Sequence, residues 1–160
     1  MLLLTPSVSS AEQGVIDAAI TAAATVCRAR GVEFTEVRRS LLEALWRAHQ
    51  PLGAYDLLPH LAYALGRRFG PTTVYRGLEF LRSQGFIARI ETLNAYVACA
   101  YQDHAHACIF FVCTCCGNAT EMENPVLEQL LIHDAGKLGF EVNRKVIEIE
   151  GTCAQCRVIF

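Results

Sequence analysis

At 160 residues the chain has room for one ordinary domain or two small ones, and an apolar content of 52% supports a packed core and excludes a disordered chain. The net charge of −2 hides a split: residues 1–99 hold ten Lys/Arg and eight Asp/Glu, whereas residues 100–160 hold four and eight. Eight cysteines are many for this length. The N-terminus has three leucines but no basic segment, and no window approaches the roughly 18–20 apolar residues of a membrane span, so the chain is read as cytoplasmic with reduced thiols. Clustered cysteines in that compartment point to metal binding or redox work more than to disulfides.

Residues 11–30 are alanine-rich and favour a helix, with Ile16, Ile20, Ala23 and Cys27 on one face and Gly31 as the stop. Cys27 has no Cys or His near it and is read as a small buried hydrophobe. Thr35 opens a second helix with Glu36 in its first turn, and Leu41, Leu42, Leu45 and Trp46 form its apolar stripe. A turn at 49–53 leads to a third helix expected from about Ala54 to Leu65, in which Leu57, Leu58, Leu61 and Leu65 face inward. Pro59 predicts a short helix or a kink there. After the basic turn 66–70, Pro71 suits a first helical position, and residues 72–84 form a fourth helix. Val74, Leu78 and Leu81 face inward; Thr72, Thr73, Tyr75, Arg76 and Glu79 share the other side. Gly85 ends it, and 86–90 and 95–99 are β-rich runs joined by a turn. Helices followed by a two-stranded wing make a winged helix.

The back half is expected to open with a strand at about 107–112. Asn124-Pro125 starts a helix to about Lys137 with Val126, Leu127, Leu130 and Leu131 on its apolar side. Residues 140–150 alternate as a partly buried strand.

Cys113-x-x-Cys116 and Cys153-x-x-Cys156 are the strongest chemical signal. Zinc prefers four soft ligands in a tetrahedron, and Cys-x-x-Cys sets two thiolates on one tight turn. The 36 residues between the pairs require a strand-helix-strand unit to join them. The competing explanation is two buried or disulfide-linked pairs, and Cys115 leaves a Cys113-x-Cys115 register open. Closed as a four-sulfur site, the pairs add on the order of 10 kcal/mol of folding free energy. His104 and His106 flank Ala105; on an extended segment both imidazoles share a face, and Cys99 and Glu121 lie within range. A mixed Cys/His/carboxylate set fits zinc better than iron or magnesium. On the fourth helix, Thr72, Thr73 and Tyr75 suit phosphates or thymine methyls and Arg76 suits guanine O6/N7, although the same pattern describes an ordinary solvated helix face.

Together these residues resemble the ferric uptake regulator family, most closely its zinc uptake regulator branch. The resemblance runs through Phe34–Arg39, Ala54–Leu58, Pro71-Thr-Thr-Val-Tyr-Arg76, Gln84–Phe86, Phe111–Gly117, Gly139-Phe140, Ile147–Gly151 and Cys153–Cys156. It implies an α+β chain: an N-terminal winged-helix DNA-binding domain, residues 1–99, and a C-terminal α/β dimerisation domain, residues 100–160. It implies a homodimeric, zinc-responsive repressor of zinc uptake genes that binds palindromic operator DNA and carries two zinc ions per chain. By position, Tyr55 and Arg76 match DNA-touching residues; Cys113, Cys116, Cys153 and Cys156 match structural zinc ligands; Cys99, His106 and Glu121 match regulatory ligands. One departure stands out: the usual fourth regulatory ligand falls on Ala88, which has no donor. His104, His49 or a water are the replacements the sequence offers. The first rival is a thiol- or peroxide-sensing regulator of the same family, for which Cys108 and Cys115 are the surplus thiols. The second is a zinc enzyme of the deaminase type, but that chemistry needs His-x-Glu and Pro-Cys-x-x-Cys, and here the segments are His104-Ala-His106 and Val112-Cys113.

Overall fold

A computed structural model describes residues 10–48, 50–99, 108–143 and 145–158. The front unit is helical. Helix α1 (Ser10–Ala29) buries Ile16, Ile20, Ala23 and Cys27, the face expected from the 3.6-residue period. Helix α2 (Glu36–Arg47) begins at Thr35, whose hydroxyl accepts the Arg38 N–H at 3.4 Å. It buries Leu41, Leu42 and Leu45 at the centre of the unit, against α1, α3 (Leu57–Leu65) and α4 (Pro71–Ser83).

Helix α3 starts later than the expected Ala54. Residues 54–56 instead form a turn in which the Asp56 carboxylate accepts the Gly53 N–H at 2.9 Å. Pro59 is therefore the third helical residue. Its missing N–H falls among the first-turn amides that have no intrahelical partner, so the expected kink is not needed. Helix α4 has Pro71 in its first turn and buries Val74, Leu78 and Leu81. It also buries Gly77, where an added Cβ would lie 2.4 Å from Leu41 Cδ1, so the α2–α4 crossing depends on a bare backbone at that point. Gly85 (φ 83°) ends α4 in a left-handed cap, with Phe86 N–H donating to Leu81 O and Gly85 N–H to Arg82 O.

Strands β1 (Ile87–Ile90) and β2 (Ala95–Ala98) pair as an antiparallel hairpin, and Leu52 adds a bridge to Tyr96, completing the winged helix. The core of this unit runs from Ile16 to Tyr96.

The back unit is a three-stranded sheet in the order β4-β3-β5. β3 (Cys108–Cys113) pairs antiparallel with β4 (Ala119–Met122) and parallel with β5 (Val146–Gly151), with α5 (Pro125–Lys137) in the crossover and a short α6 (Ala154–Arg157) after β5. β4 and α6 were not expected from the sequence. The anticipated apolar side of α5 is present, but no residue of α5 is buried; Val126 and Leu130 are exposed, as are Phe140 beyond the helix and the paired sheet residues Phe111 and Ile149.

Among the described residues, an apolar contact and a set of hydrogen bonds help to join the units. A small second core combines Ala88, Ile90 and Cys99 of the wing with Phe110 and Val112 of β3. At the hairpin turn, Glu148 on β5 accepts the Glu91 N–H at 2.7 Å, the Thr92 N–H at 3.2 Å and the Thr92 hydroxyl at 2.9 Å. Burial raises the Glu148 pKa, but these three donors outweigh it and hold the carboxyl below its ordinary value. Among the described residues no helix is long and apolar enough to cross a membrane.

Candidate metal centres and nucleic-acid face

The parallel pairing of β3 with β5 sets Cys113 opposite Gly151, so the two Cys-x-x-Cys turns emerge at the same end of the sheet. The turn after Cys113 closes through Gly117 (φ 72°), whose N–H donates to Cys113 O at 2.9 Å. This brings Cys116 back beside Cys113. On the other side Cys153 caps α6 and Cys156 lies buried on it. The four sulfurs of Cys113, Cys116, Cys153 and Cys156 lie within 4.8 Å of one another, with Cys116 and Cys153 at 3.9 Å. A disulfide needs about 2.05 Å between sulfurs, and the cysteines are free thiols. Four ligands about 2.3 Å from a zinc ion stand about 3.8 Å apart, so this spacing fits a tetrahedral thiolate site. Cys115 is exposed and outside the cluster, so the turn closes through Cys116.

The electrostatics agree with a cation-seeking cluster. The Cys153 N–H, 3.3 Å from Cys113 Sγ, and then the Cys116 N–H pull the Cys113 thiol down to about 6. Cys156 is pushed up, first by the neighbouring Cys153 thiol and then by Cys115. One thiolate forms readily here, while further negative charge among crowded sulfurs is disfavoured without a positive ion.

The second cluster spans both units. Cys99, 1% exposed, follows β2 and is fixed by its N–H to Phe86 O at 3.0 Å. Glu121 sits on β4 opposite Phe110. The structure brings these two expected ligands together and adds Cys108, the first residue of β3, with the donor atoms of all three within 4.8 Å. The Cys99 and Cys108 sulfurs are 3.9 Å apart. Ala88 lies in the same core, buried and without a donor. A cleft of about 250 Å³ lined by Trp46, Pro51, Val97, Phe110 and Glu121 lies between the end of α2 and the sheet. The other expected ligands, His49, His104 and His106, lie outside the described residues.

On α4, Thr72, Tyr75, Arg76 and Glu79 are exposed and Thr73 is half-buried, opposite the buried Val74, Leu78 and Leu81. Tyr55, before α3, is 66% exposed. One helix thus presents hydroxyls, a phenol and a guanidinium outward from a packed base, the arrangement required of an element that enters a DNA groove.

The model of the ferric uptake regulator family matches residues 29–150. The zinc uptake regulation protein of Escherichia coli (strain K12) is 36% identical over 132 residues, covering 82% of this chain and 77% of that protein. A solved zinc uptake regulator in complex with zinc and DNA superposes with a TM-score of 0.81 at 34% identity, covering 90% of this chain and 96% of that one. XcZur is informative because both of its forms are solved. The holo form gives a TM-score of 0.75 at 33% identity, covering 87% of this chain and 96% of that one. The apo form gives 0.50 at 32% identity, covering 90% and 99%. With sequence identity nearly equal, the difference is one of conformation, and this chain adopts an arrangement nearer the holo form. The chain belongs to the ferric uptake regulator family.

Proposed function

We infer that this chain is a zinc-responsive transcriptional repressor that binds operator DNA as a homodimer. The observation that carries this is the likeness, over 90% of the chain, to the zinc uptake regulator complexed with zinc and DNA. The cysteine clusters supply donors suited to that metal. The thiol- or peroxide-sensing alternative is not favoured, because the curated relatives at 36% and 32% identity are zinc uptake regulation proteins.

In finer detail, residues 1–99 bind DNA in the cytoplasm and residues 100–160 dimerise. Arg76 contacts a base edge while Tyr55, Thr72, Thr73 and Tyr75 position the helix against phosphates and bases. The exposed apolar residues of α5, with Phe111 and Ile149, support a self-complementary dimer face. Each chain takes two zinc ions. Cys113, Cys116, Cys153 and Cys156 hold one, which cross-links the ends of β3 and β5. Cys99, Glu121 and His106 hold the other, with His104, His49 or a water as the fourth ligand offered by the sequence. Because Cys99 extends the wing and Glu121 belongs to the sheet, ligation there ties α4 to the dimer unit at one angle. That favours the arrangement in which both α4 helices reach successive major grooves. The proposed targets are genes of zinc uptake, and the family is one of transcriptional regulators, so no catalysis is assigned.

A gel-shift titration of operator DNA with zinc-loaded and chelated protein tests this. Binding should strengthen with zinc by at least the 1–3 kcal/mol typical of coupled sites, and operator should tighten zinc binding by the same factor. Equal operator affinity in both states would refute zinc responsiveness.

A further inference from the structure

We propose that Cys108 is itself a ligand of the regulatory metal, making that centre a two-thiolate site. This rests on the regulatory site inferred above and concerns what binds there. The sulfur separation of Cys99 and Cys108 is 3.9 Å, the same as that of Cys116 and Cys153 in the four-thiol cluster, and both match the edge of about 3.8 Å of a zinc tetrahedron. At this separation the thiols are not disulfide-bonded.

Strand geometry explains why Cys108 is included. Positions 108, 110 and 112 of β3 share one face, because successive side chains alternate. Phe110 and Val112 pack on the core that contains Ala88, Ile90 and Cys99, and Cys108 packs against that same core. Glu121 opposes Phe110 on β4, one position along from Cys108 on the same face. The cluster is thus assembled from the residue that follows β2, the start of β3 and the middle of β4.

The donor chemistry points the same way. Two thiols and a carboxylate, with one thiol 1% exposed, are a donor set suited to a soft divalent cation. β1 offers Ala88 and Ile90 at this core, so no donor comes from those two positions. Cys108 supplies the ligand for which the sequence offered His104, His49 or a water. A second thiolate makes the centre softer than a one-thiolate site and shifts its preference further from iron and manganese toward zinc and cadmium.

The test uses the full-length dimer with the four-thiol cluster filled with zinc, adding cobalt(II) as the probe of the second site. The wild type should show the sulfur-to-cobalt charge-transfer intensity of two thiolates. Cys108→Ser should lower that intensity per bound ion by about half, as should Cys99→Ser. Cys108→Ser should also weaken zinc in chelator competition by more than the roughly 10–100-fold typical of losing only a hydrogen-bonded support of a ligand. Cadmium-113 NMR of the unsubstituted protein reads the thiolate number independently, in case the serine variant folds poorly. Charge transfer unchanged by Cys108→Ser, or a one-thiolate cadmium shift in the wild type, overturns the proposal while leaving the regulatory site intact. A wild-type dimer that binds no second ion would instead overturn the regulatory site itself.

Discussion

The two donor clusters share the same sulfur spacing and differ in how the chain builds them. The four-thiol cluster draws every donor from the back unit, where parallel pairing aligns the ends of β3 and β5. The second cluster takes Cys99 from beyond the wing and Cys108 and Glu121 from the sheet. A metal in the first cluster strengthens one unit. A metal in the second fixes the relation between two units. In the proposed function the same ion would serve folding in one place and regulation in the other, and the difference lies in which elements the ligands join.

The largest test removes the first cluster. Cys113→Ser, or exhaustive chelation, should cost on the order of 10 kcal/mol and unfold the back unit. Circular dichroism and sedimentation would show lost sheet and lost dimer. A stable dimer would mean that the cluster plays no part in folding. Next in size, Arg76→Ala should lower preference for the operator by about 1–3 kcal/mol per half-site, with both clusters and the dimer unchanged. Competition between operator and random duplex reads this, and an unaltered preference would remove Arg76 from base contact. Cys99→Ser should leave a folded dimer whose operator affinity no longer depends on zinc, erasing a coupling of about 1–3 kcal/mol. If Cys99→Ser unfolds the chain as Cys113→Ser does, the division of roles between the clusters fails.

The smallest effect belongs to Glu148→Gln, which weakens the metal-free contact between the units. The carboxylate is largely solvated, so the loss is about 1 kcal/mol or less. The folded pKa of Glu148 lies below its ordinary value, so its contribution is complete above the unfolded pKa and fades as pH falls through the folded one. Wild type and Glu148→Gln should therefore differ in stability near neutrality and converge in acid. A difference that persists in acid would assign the effect to packing rather than charge.

Much of this was legible because periodicity is local. The buried faces of α1 and α4 follow from apolar spacing alone, and the paired Cys-x-x-Cys motifs imply their own proximity. What escaped depends on neighbours. β4 is the four residues Ala119–Met122, which carry no strand pattern and are extended because β3 offers a hydrogen-bonding edge. Cys108 read as a surplus thiol because only the register of β3 aims it at Cys99. Gly77 stood out in no sequence pattern, and its purpose shows only where Leu41 crosses it. Pro59 looked disruptive because the start of α3 had been placed too early.

The parallel pairing of β3 and β5 also sets an order of events during synthesis. The core from Ile16 to Tyr96 is complete once the wing has left the ribosome, and it holds α4, the helix proposed to face DNA. The back unit must wait, because β3 lacks one neighbour until β5 emerges and Cys113 lacks two companions until Cys153 and Cys156 do. Units fold as they are released, N-terminal first. In the proposed function each nascent chain would thus acquire the surface assigned to DNA first, and the four-thiol cluster would be the last donor set to be completed.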